Sequence, residues 1–139
     1  MDTMTATRST VHRPRHITLT AGPAAAGEAR SQARSAIAAW DVPVDPAVAA
    51  LLTSELVTNA ISHQAGETIM LVITCTRGQL RVDVHDTSWA MPELLDAPAD
   101  AESGRGLMLV ASLAADWGYY PTLAGKAVYF TLALEAGLA

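Results

Sequence analysis

The chain has 139 residues, of which 50% are hydrophobic and 17% are charged, and its formal net charge is −5. This length suits one domain with a substantial core, and the composition and net charge exclude a disordered chain and a general nucleic-acid binder. No apolar run approaches the roughly 20 residues that a membrane helix requires, the N-terminus lacks a signal-peptide core, and the single Cys75 excludes an internal disulfide. We therefore expect a cytoplasmic protein that contacts neither nucleic acid nor membrane directly.

The first part of the chain predicts a tail and then an edge strand. Residues 1–14 are polar and show no periodicity, which indicates a disordered tail ahead of a single domain over residues 15–136. The segment His16 to Thr20 has the length of a short edge strand. Gly22-Pro23 follows and places proline at the first position of a helix.

Two helices are predicted next. An Ala-rich segment from Ala24 to Trp40 forms the first, and the second spans roughly Pro46 to His63, with Gly66 ending that region. Residues 45–56 are dense in Ala, Val and Leu, so the second helix should be largely buried.

From Thr68 the hydrophobic period changes to two, which is typical of strands. Strands flank a hairpin signal at Arg77-Gly78, residues 87–103 read as a loop, a third helix spans Gly106 to Ala115, and a second hairpin turns at residues 121–125. This order of elements predicts an α+β fold, a two-layer sandwich with the helices on one face of a mostly antiparallel sheet.

Glu55, Asn59 and His63 stand four residues apart, so they lie on one ridge of the second helix. This ridge is either a solvent-facing stripe or a functional site. Asn is a poor helix former, and the ridge lacks the Lys, Arg and Gln that surface faces usually carry. A carboxylate and an amide one turn apart suit a metal-bound phosphate, because the amide oxygen is a hard Mg²⁺ ligand and the carboxylate can accept a proton. His63 is expected instead to satisfy carbonyls of the last turn.

Strand alternation places Asp86 on the apolar, core-facing side of its strand. A buried carboxylate costs several kcal/mol unless it is hydrogen-bonded. Asp86 either caps a local turn through Thr87 or Ser88, or accepts the exocyclic amine of a purine, a contact that selects adenine.

Gly104-Arg105-Gly106-Leu107 is expected to precede the third helix. Two glycines let backbone amides approach an anion, and a helix N-terminus adds its dipole. The segment is neither a Walker loop, since no Gly-Lys-Ser/Thr follows, nor a dinucleotide fingerprint, since it does not follow a first strand.

These three segments, in this order, resemble the GHKL (Bergerat-fold) ATPase superfamily. Residues 55–63 are similar to its N box, Asp86-Thr87-Ser88 to its first glycine-box position, and Gly104 to Leu107 to its second. Over roughly residues 16–134 the chain is similar to the anti-sigma-factor serine kinase branch, with Trp117-Gly118 after the third helix and Gly125-Lys126 before the last strand. The resemblance implies the Bergerat ATP-binding fold.

The resemblance implies ATP and Mg²⁺ as cofactors and a role for each matching residue. Glu55 would be the general base that acts on a protein serine, Asn59 would ligate Mg²⁺, and Asp86 would hold the adenine amine. Gly104 and Gly106 would offer backbone amides to the phosphates. The full set of implied nucleotide-binding residues is Asn59, Asp86, Ser88, Gly104, Arg105, Gly106 and Leu107.

The function that the resemblance implies is a serine/threonine protein kinase acting as an anti-sigma factor. It would bind a sigma factor and phosphorylate an anti-sigma-factor antagonist, and a homodimer is one assembly that the resemblance allows. The alternative is a catalytically weak, nucleotide-dependent protein-binding module, which Ala127 in place of the branch's Thr and the short loop from Trp89 to Ser103 favour. The catalytic fragment of a sensor histidine kinase is disfavoured, because the chain has no room for a dimerisation helix pair that carries a phospho-acceptor His.

Overall fold

The computed structural model describes residues 13–63, 67–76, 78–88 and 102–135, with only the backbone described for His63 and residues 102–106. The predicted tail up to residue 12, Gly66, Arg77 and residues 89–101 of the predicted loop lie outside these ranges. The elements are the strands β1 (Arg15–Thr20), β2 (Thr68–Thr76), β3 (Gln79–Asp86), β4 (Asp116–Pro121) and β5 (Lys126–Ala133), and the helices α1 (Ala25–Trp40), α2 (Pro46–His63) and α3 (Glu102–Leu113).

The five strands form one sheet in the order β1-β2-β3-β5-β4, and every neighbouring pair is antiparallel. The helices cover one face of this sheet, and the core lies between the two layers. The predicted α+β two-layer fold is therefore confirmed, and β1 is the predicted edge strand. No helix among the described residues is long and apolar enough to cross a membrane.

The central hairpin follows the period-two pattern. Thr76 pairs with Gln79, and Gly78 just before Gln79 takes φ 89°, a left-handed conformation that glycine adopts without strain. In β2 the side chains of Ile69, Leu71, Ile73 and Cys75 are buried, as predicted. The hairpin thus presents an apolar inner face to the helices and an outer face that is polar apart from Met70 and Val72.

Helix α1 packs closely on α2 through small residues. Ala25, Ala29, Ala33 and Ala36 are almost fully buried and recur every three or four positions, so they form one stripe of the helix. Because alanine side chains are short, the two helix backbones can approach each other closely. The helix predicted from Ala24 to Trp40 is confirmed to within one residue, but it begins at Ala25, so Pro23 lies two positions before it and not at its first position as predicted.

Helix α2 lies between α1, α3 and the sheet, and it begins and ends where the sequence predicts. The Asp45 carboxylate accepts a hydrogen bond from the Ala47 backbone N–H (2.9 Å), which satisfies one of the free donors of the first turn. Pro46 occupies the first helical position, where its missing N–H costs nothing.

The third helix is longer at its start than the sequence predicts. The prediction placed it over Gly106 to Ala115, but α3 spans Glu102–Leu113. Two glycines lower helix propensity and suggested a later start, but propensity is a weak prior that tertiary packing overrides. The packing here comes from Leu107 and Val110, which are buried against the core.

The outer face of the sheet carries a polar cluster centred on Asp83, which is only 6% exposed. Arg81 donates two hydrogen bonds to the Asp83 carboxylate (Nε–Oδ1 and Nη2–Oδ2, each 2.9 Å), and the Tyr120 hydroxyl donates a third (2.9 Å). The Arg81 guanidinium lies 4.0 Å from the centre of the Tyr129 ring, within cation–π range. The hydrogen bond to Asp83 raises the pKa of Arg81 above its ordinary value.

Tyr120→Phe is expected to lower the free energy of unfolding by about 1 kcal/mol near neutral pH, because the Asp83 hydrogen bond is lost. Burial and then the hydrogen bond to Asp83 raise the pKa of Tyr120 in the folded protein. The resulting stabilisation is complete below the unfolded-state tyrosine pKa of about 10 and is lost as pH rises through the folded-state pKa.

Urea unfolding between pH 8 and 11 measures both effects. The wild type should lose stability over the alkaline part of this range, and Tyr120→Phe should flatten that decline. Tyr119, which is 45% exposed, provides the control, and Tyr119→Phe should change stability by less than about 0.5 kcal/mol. Equal alkaline slopes in the wild type and Tyr120→Phe would contradict the assignment.

Candidate functional site

The polar ridge of α2 is not a uniform solvent-facing stripe. Asn59 is only 4% exposed and Glu55 is half-buried, whereas Thr58 and Ser62 are exposed. The Ser62 hydroxyl donates to the Thr58 carbonyl (3.0 Å), so it is satisfied within the helix. The structure therefore directs Asn59 into the protein and leaves Glu55 partly accessible one turn earlier. The role expected for the His63 side chain lies outside the described residues.

Asp86 points toward the core at the end of β3, as the alternation predicts, and is 4% exposed. Its Oδ1 accepts a hydrogen bond from the Ser88 backbone N–H (2.8 Å). This contact two residues along the chain is an Asx turn, so the local-turn interpretation describes the geometry of Asp86. The turn uses one lone pair of one carboxylate oxygen, which is compatible with the purine contact.

Lys126 is a member of the site that the sequence interpretation did not identify. Its Nζ lies 3.1 Å from Oδ1 and 3.0 Å from Oδ2 of Asp86. The exposed fractions of the two side chains are 1% for Lys126 and 0% for Asp86. Two opposite charges therefore neutralise each other out of contact with water.

Two signals in the sequence point to this ion pair. Lys126 is the only lysine of the chain, and period-two alternation puts it on the same face as the apolar Val128 and Phe130. A charge on that face requires a counter-charge, and Asp86 is the inward-facing carboxylate of the neighbouring strand. The missing information was the register, which sets Asp86 directly opposite Lys126.

Gly125 allows the start of β5 to approach the turn after Asp86. A Cβ at this position would lie 2.3 Å from the Asp86 backbone oxygen and 2.7 Å from two backbone atoms of Thr87. The contacting atoms belong to the backbone, so they cannot swing away as a flexible side chain would. The glycine thus permits the close approach that sets Lys126 against Asp86.

Gly125→Ala is expected to lower the free energy of unfolding by about 1–3 kcal/mol, because the backbones of the two strands must separate. Thermal or urea unfolding measures the effect. Gly22→Ala is the matched control, since a Cβ there meets no atom within 4 Å, and its effect should be close to zero. A Gly125→Ala protein as stable as the control variant would contradict the close approach.

The glycine segment lies inside α3 and does not precede the helix as predicted. Because α3 begins at Glu102, the amide of Gly104 is among the first four of the helix, which have no carbonyl partner one turn earlier. The amide of Gly106 lies one turn after Glu102 and is available to the helical hydrogen-bond ladder. In this arrangement Gly104 can offer an amide to an anion, while Gly106 has no such free donor. The Arg105 side chain lies outside the described part of the chain.

The elements that carry the expected site residues meet in one region of the fold. Helix α2 packs against both β3 and β5 and also against α3, so the helix with Glu55 and Asn59 adjoins the strands with Asp86 and Lys126. Leu107 of α3, one of the expected nucleotide-binding residues, is 2% exposed and packs in the core. Asn59 offers the kind of oxygen that Mg²⁺ accepts, and Mg²⁺ usually takes only one or two protein ligands beside phosphates.

Comparison with known proteins gives an independent result. The sequence matches the family model for the histidine kinase-like ATPase domain over residues 19–132. The fold is similar to the crystal structure of the RsbU and RsbW domains of Rv1364c from Mycobacterium tuberculosis, with a TM-score of 0.66 and 24% identity, covering 88% of this chain and 33% of that one. This chain thus spans about a third of that structure's length, and a search of curated proteins gave no significant match. The family match covers most of the sequence, and the chain therefore belongs to the histidine kinase-like ATPase domain family.

Proposed function

We propose that this protein is a cytoplasmic, ATP-binding serine/threonine protein kinase that acts as an anti-sigma factor. The observation that carries the proposal is the inward orientation of Asn59 and Asp86 on two elements of an ATPase-family fold. The Asn59 amide oxygen is the kind of ligand that Mg²⁺ accepts, and Asp86 accepts three hydrogen bonds from Lys126 and Ser88, whereas a carboxylate offers about four lone-pair sites. The two groups therefore suit the Mg²⁺-bound phosphates and the base of ATP.

Each residue would contribute a separate part of phosphoryl transfer, which depends mainly on positioning and charge neutralisation. Asn59 would ligate Mg²⁺ on the phosphates, Asp86 would accept the adenine amine, and the Gly104 amide would donate to a phosphate oxygen. Glu55 is half-buried on α2 and would accept the proton of a serine hydroxyl from another protein.

The regulatory partners follow from similarity and are proposed on that basis. The similar M. tuberculosis structure contains an RsbW domain, and the sequence resembles the anti-sigma kinase branch. We infer an antagonist protein as the phosphate acceptor and a sigma factor as the protein that is held and released. A homodimer is the assembly to test first by light scattering.

A magnesium-dependent ATP titration of the wild type and Asn59→Ala tests the nucleotide site. Asn59→Ala should weaken Mg·ATP binding by at least about tenfold, since even outer partners of a bound metal contribute about 10–100-fold. The exposed neighbour Thr58 provides the control, and Thr58→Ala should bind as the wild type does. Unchanged Mg·ATP binding by Asn59→Ala would contradict the assignment of Asn59 as a metal ligand. A wild type that binds no ATP would contradict the proposed nucleotide-binding function.

A second candidate function is a nucleotide-dependent binding module without phosphoryl transfer. It is favoured by Ala127, which is fully buried and supplies no hydroxyl where the kinase branch often has Thr, and by the Asp86 carboxylate already engaged by Lys126. Incubation with labelled ATP and candidate antagonist proteins separates the two functions. Label on the antagonist indicates the kinase, while tight ATP binding with no label on any partner indicates the module.

A further inference from the structure

We propose that Lys126 recognises the nucleotide base, by donating a hydrogen bond to the ring nitrogen N1 of adenine while Asp86 accepts from the neighbouring amine. The proposal rests on the ATP binding proposed above and assigns a function to a residue that those roles leave unused. In this proposal the Asp86–Lys126 pair makes two hydrogen bonds to the base, whereas Asp86 alone would make one.

The hydrogen-bonding capacity of the pair supports this assignment. An ammonium carries three N–H donors, and within the described ranges two of them go to Asp86. A carboxylate offers about four lone-pair sites, and Asp86 uses three of them, for Lys126 twice and for the Ser88 amide. Among the contacts of the described residues, one donor of Lys126 and one lone pair of Asp86 therefore remain, and Nζ lies 3.0 Å from Oδ2.

Adenine presents the complementary pattern. Its Watson–Crick edge places the donating 6-amino group beside the accepting N1 atom. Guanine presents an acceptor at position 6 and a donor at position 1, the reverse order, so it would set its oxygen against the Asp86 carboxylate and its N–H against the ammonium. The pair therefore selects adenine by attraction and rejects guanine by repulsion.

The position and surroundings of the pair strengthen such contacts. Asp86 is the last residue of β3 and Lys126 the first of β5, so the pair lies at an end of the sheet. Both side chains are at least 99% buried, so the base reaches them only after the groups that cover them move aside, and the inner-face neighbours Val84 and Val128 are apolar. Hydrogen bonds to charged groups are stronger where water is excluded, so replacing one atom of the base should have a measurable effect.

The test compares ATP with 1-deaza-ATP, in which a C–H replaces N1, and with purine riboside triphosphate, which lacks the 6-amino group. Calorimetric titration of the wild type is expected to show that 1-deaza-ATP binds about tenfold to a hundredfold more weakly than ATP, the range for a hydrogen bond to a charged group. Purine riboside triphosphate should bind more weakly than ATP by a comparable factor, because it lacks the amine that donates to Asp86.

The variant Lys126→Met should bind ATP and 1-deaza-ATP equally while still discriminating against the triphosphate that lacks the amine. Arg81→Met, on the outer face of the same strand as Asp86, is the control and should keep the wild-type preference for N1. A wild type that binds ATP and 1-deaza-ATP equally overturns the proposal even if Lys126→Met does not fold. A folded Lys126→Met that keeps the preference also overturns it. Failure of the wild type to bind any of the three nucleotides would instead overturn the proposed function, and this proposal with it.

Discussion

Lys126→Met is expected to lower the free energy of unfolding by about 3–5 kcal/mol, the loss typical when one partner of a buried ion pair is removed. Methionine fills nearly the same volume, so the loss of charge is the main change. Of the hydrogen bonds among the described residues, Asp86 would then keep only the one from the Ser88 amide to its buried carboxylate. The destabilisation measures the cost of an uncompensated buried charge, which exceeds the net contribution of the intact pair.

Urea unfolding of a double-mutant cycle separates these two quantities. Lys126→Met with Asp86→Asn should recover a large part of the stability lost in Lys126→Met, because no charge remains buried. Arg34→Met is the control, since Arg34 is exposed on α1 and the loss of its charge should change the free energy of unfolding by less than about 0.5 kcal/mol. A loss in Lys126→Met no larger than that in Arg34→Met would contradict the burial of the pair.

The two-layer fold and the order of helices and strands along the chain could be predicted from the sequence because they follow local rules. In β2 and β3 the period of two fixes which side chains face the helices, and Gly78 takes the left-handed conformation just before β3 begins. Pro46, preceded by the Asp45 cap, fixes the start of α2. Each of these features depends on residues a few positions apart, so a single sequence contains the necessary information.

The contacts that define the site depend on distant residues and were only partly predictable. The inward orientation of Asp86 follows from alternation within one strand, but its partner Lys126 is 40 positions away and is set by the β3–β5 register. The outer cluster of Asp83 and Tyr120 joins residues 37 positions apart for the same reason. The early start of α3 was missed because packing of Leu107 and Val110 outweighed the low helix propensity of the glycines.

These differences alter the chemistry expected at the site. A lone inward carboxylate could only accept hydrogen bonds. Asp86 paired with Lys126 is neutralised, and the pair can both accept and donate hydrogen bonds. The start of α3 at Glu102 leaves Gly104 as the candidate amide donor and takes Gly106 into the helix ladder. The proposed base-recognition site therefore gains Lys126, and of the two glycines only Gly104 remains a candidate donor to a phosphate.

Glu55→Gln is expected to slow phosphate transfer to a protein serine by about 10²–10⁴-fold, the usual contribution of a positioned general base. Glutamine has nearly the same size and keeps a hydrogen-bonding oxygen, but it cannot take the hydroxyl proton. Because Glu55 is assigned to the acceptor hydroxyl and not to the nucleotide, the affinity for ATP should stay within about twofold to threefold of the wild type. The loss should thus fall on the rate of transfer and not on binding.

Single-turnover transfer from labelled ATP to the antagonist, with ATP affinity measured in parallel, makes this distinction. Asn59→Ala, one turn along α2, is the comparison, since the loss of a metal ligand should weaken Mg·ATP binding as well as transfer. Glu55 is half-buried while Asn59 is 4% exposed, so the residue assigned to the partner's hydroxyl is the more accessible of the two. A Glu55→Gln protein that transfers phosphate at the wild-type rate would exclude Glu55 as the base. One that loses ATP binding and transfer together would place Glu55 in the nucleotide site beside Asn59.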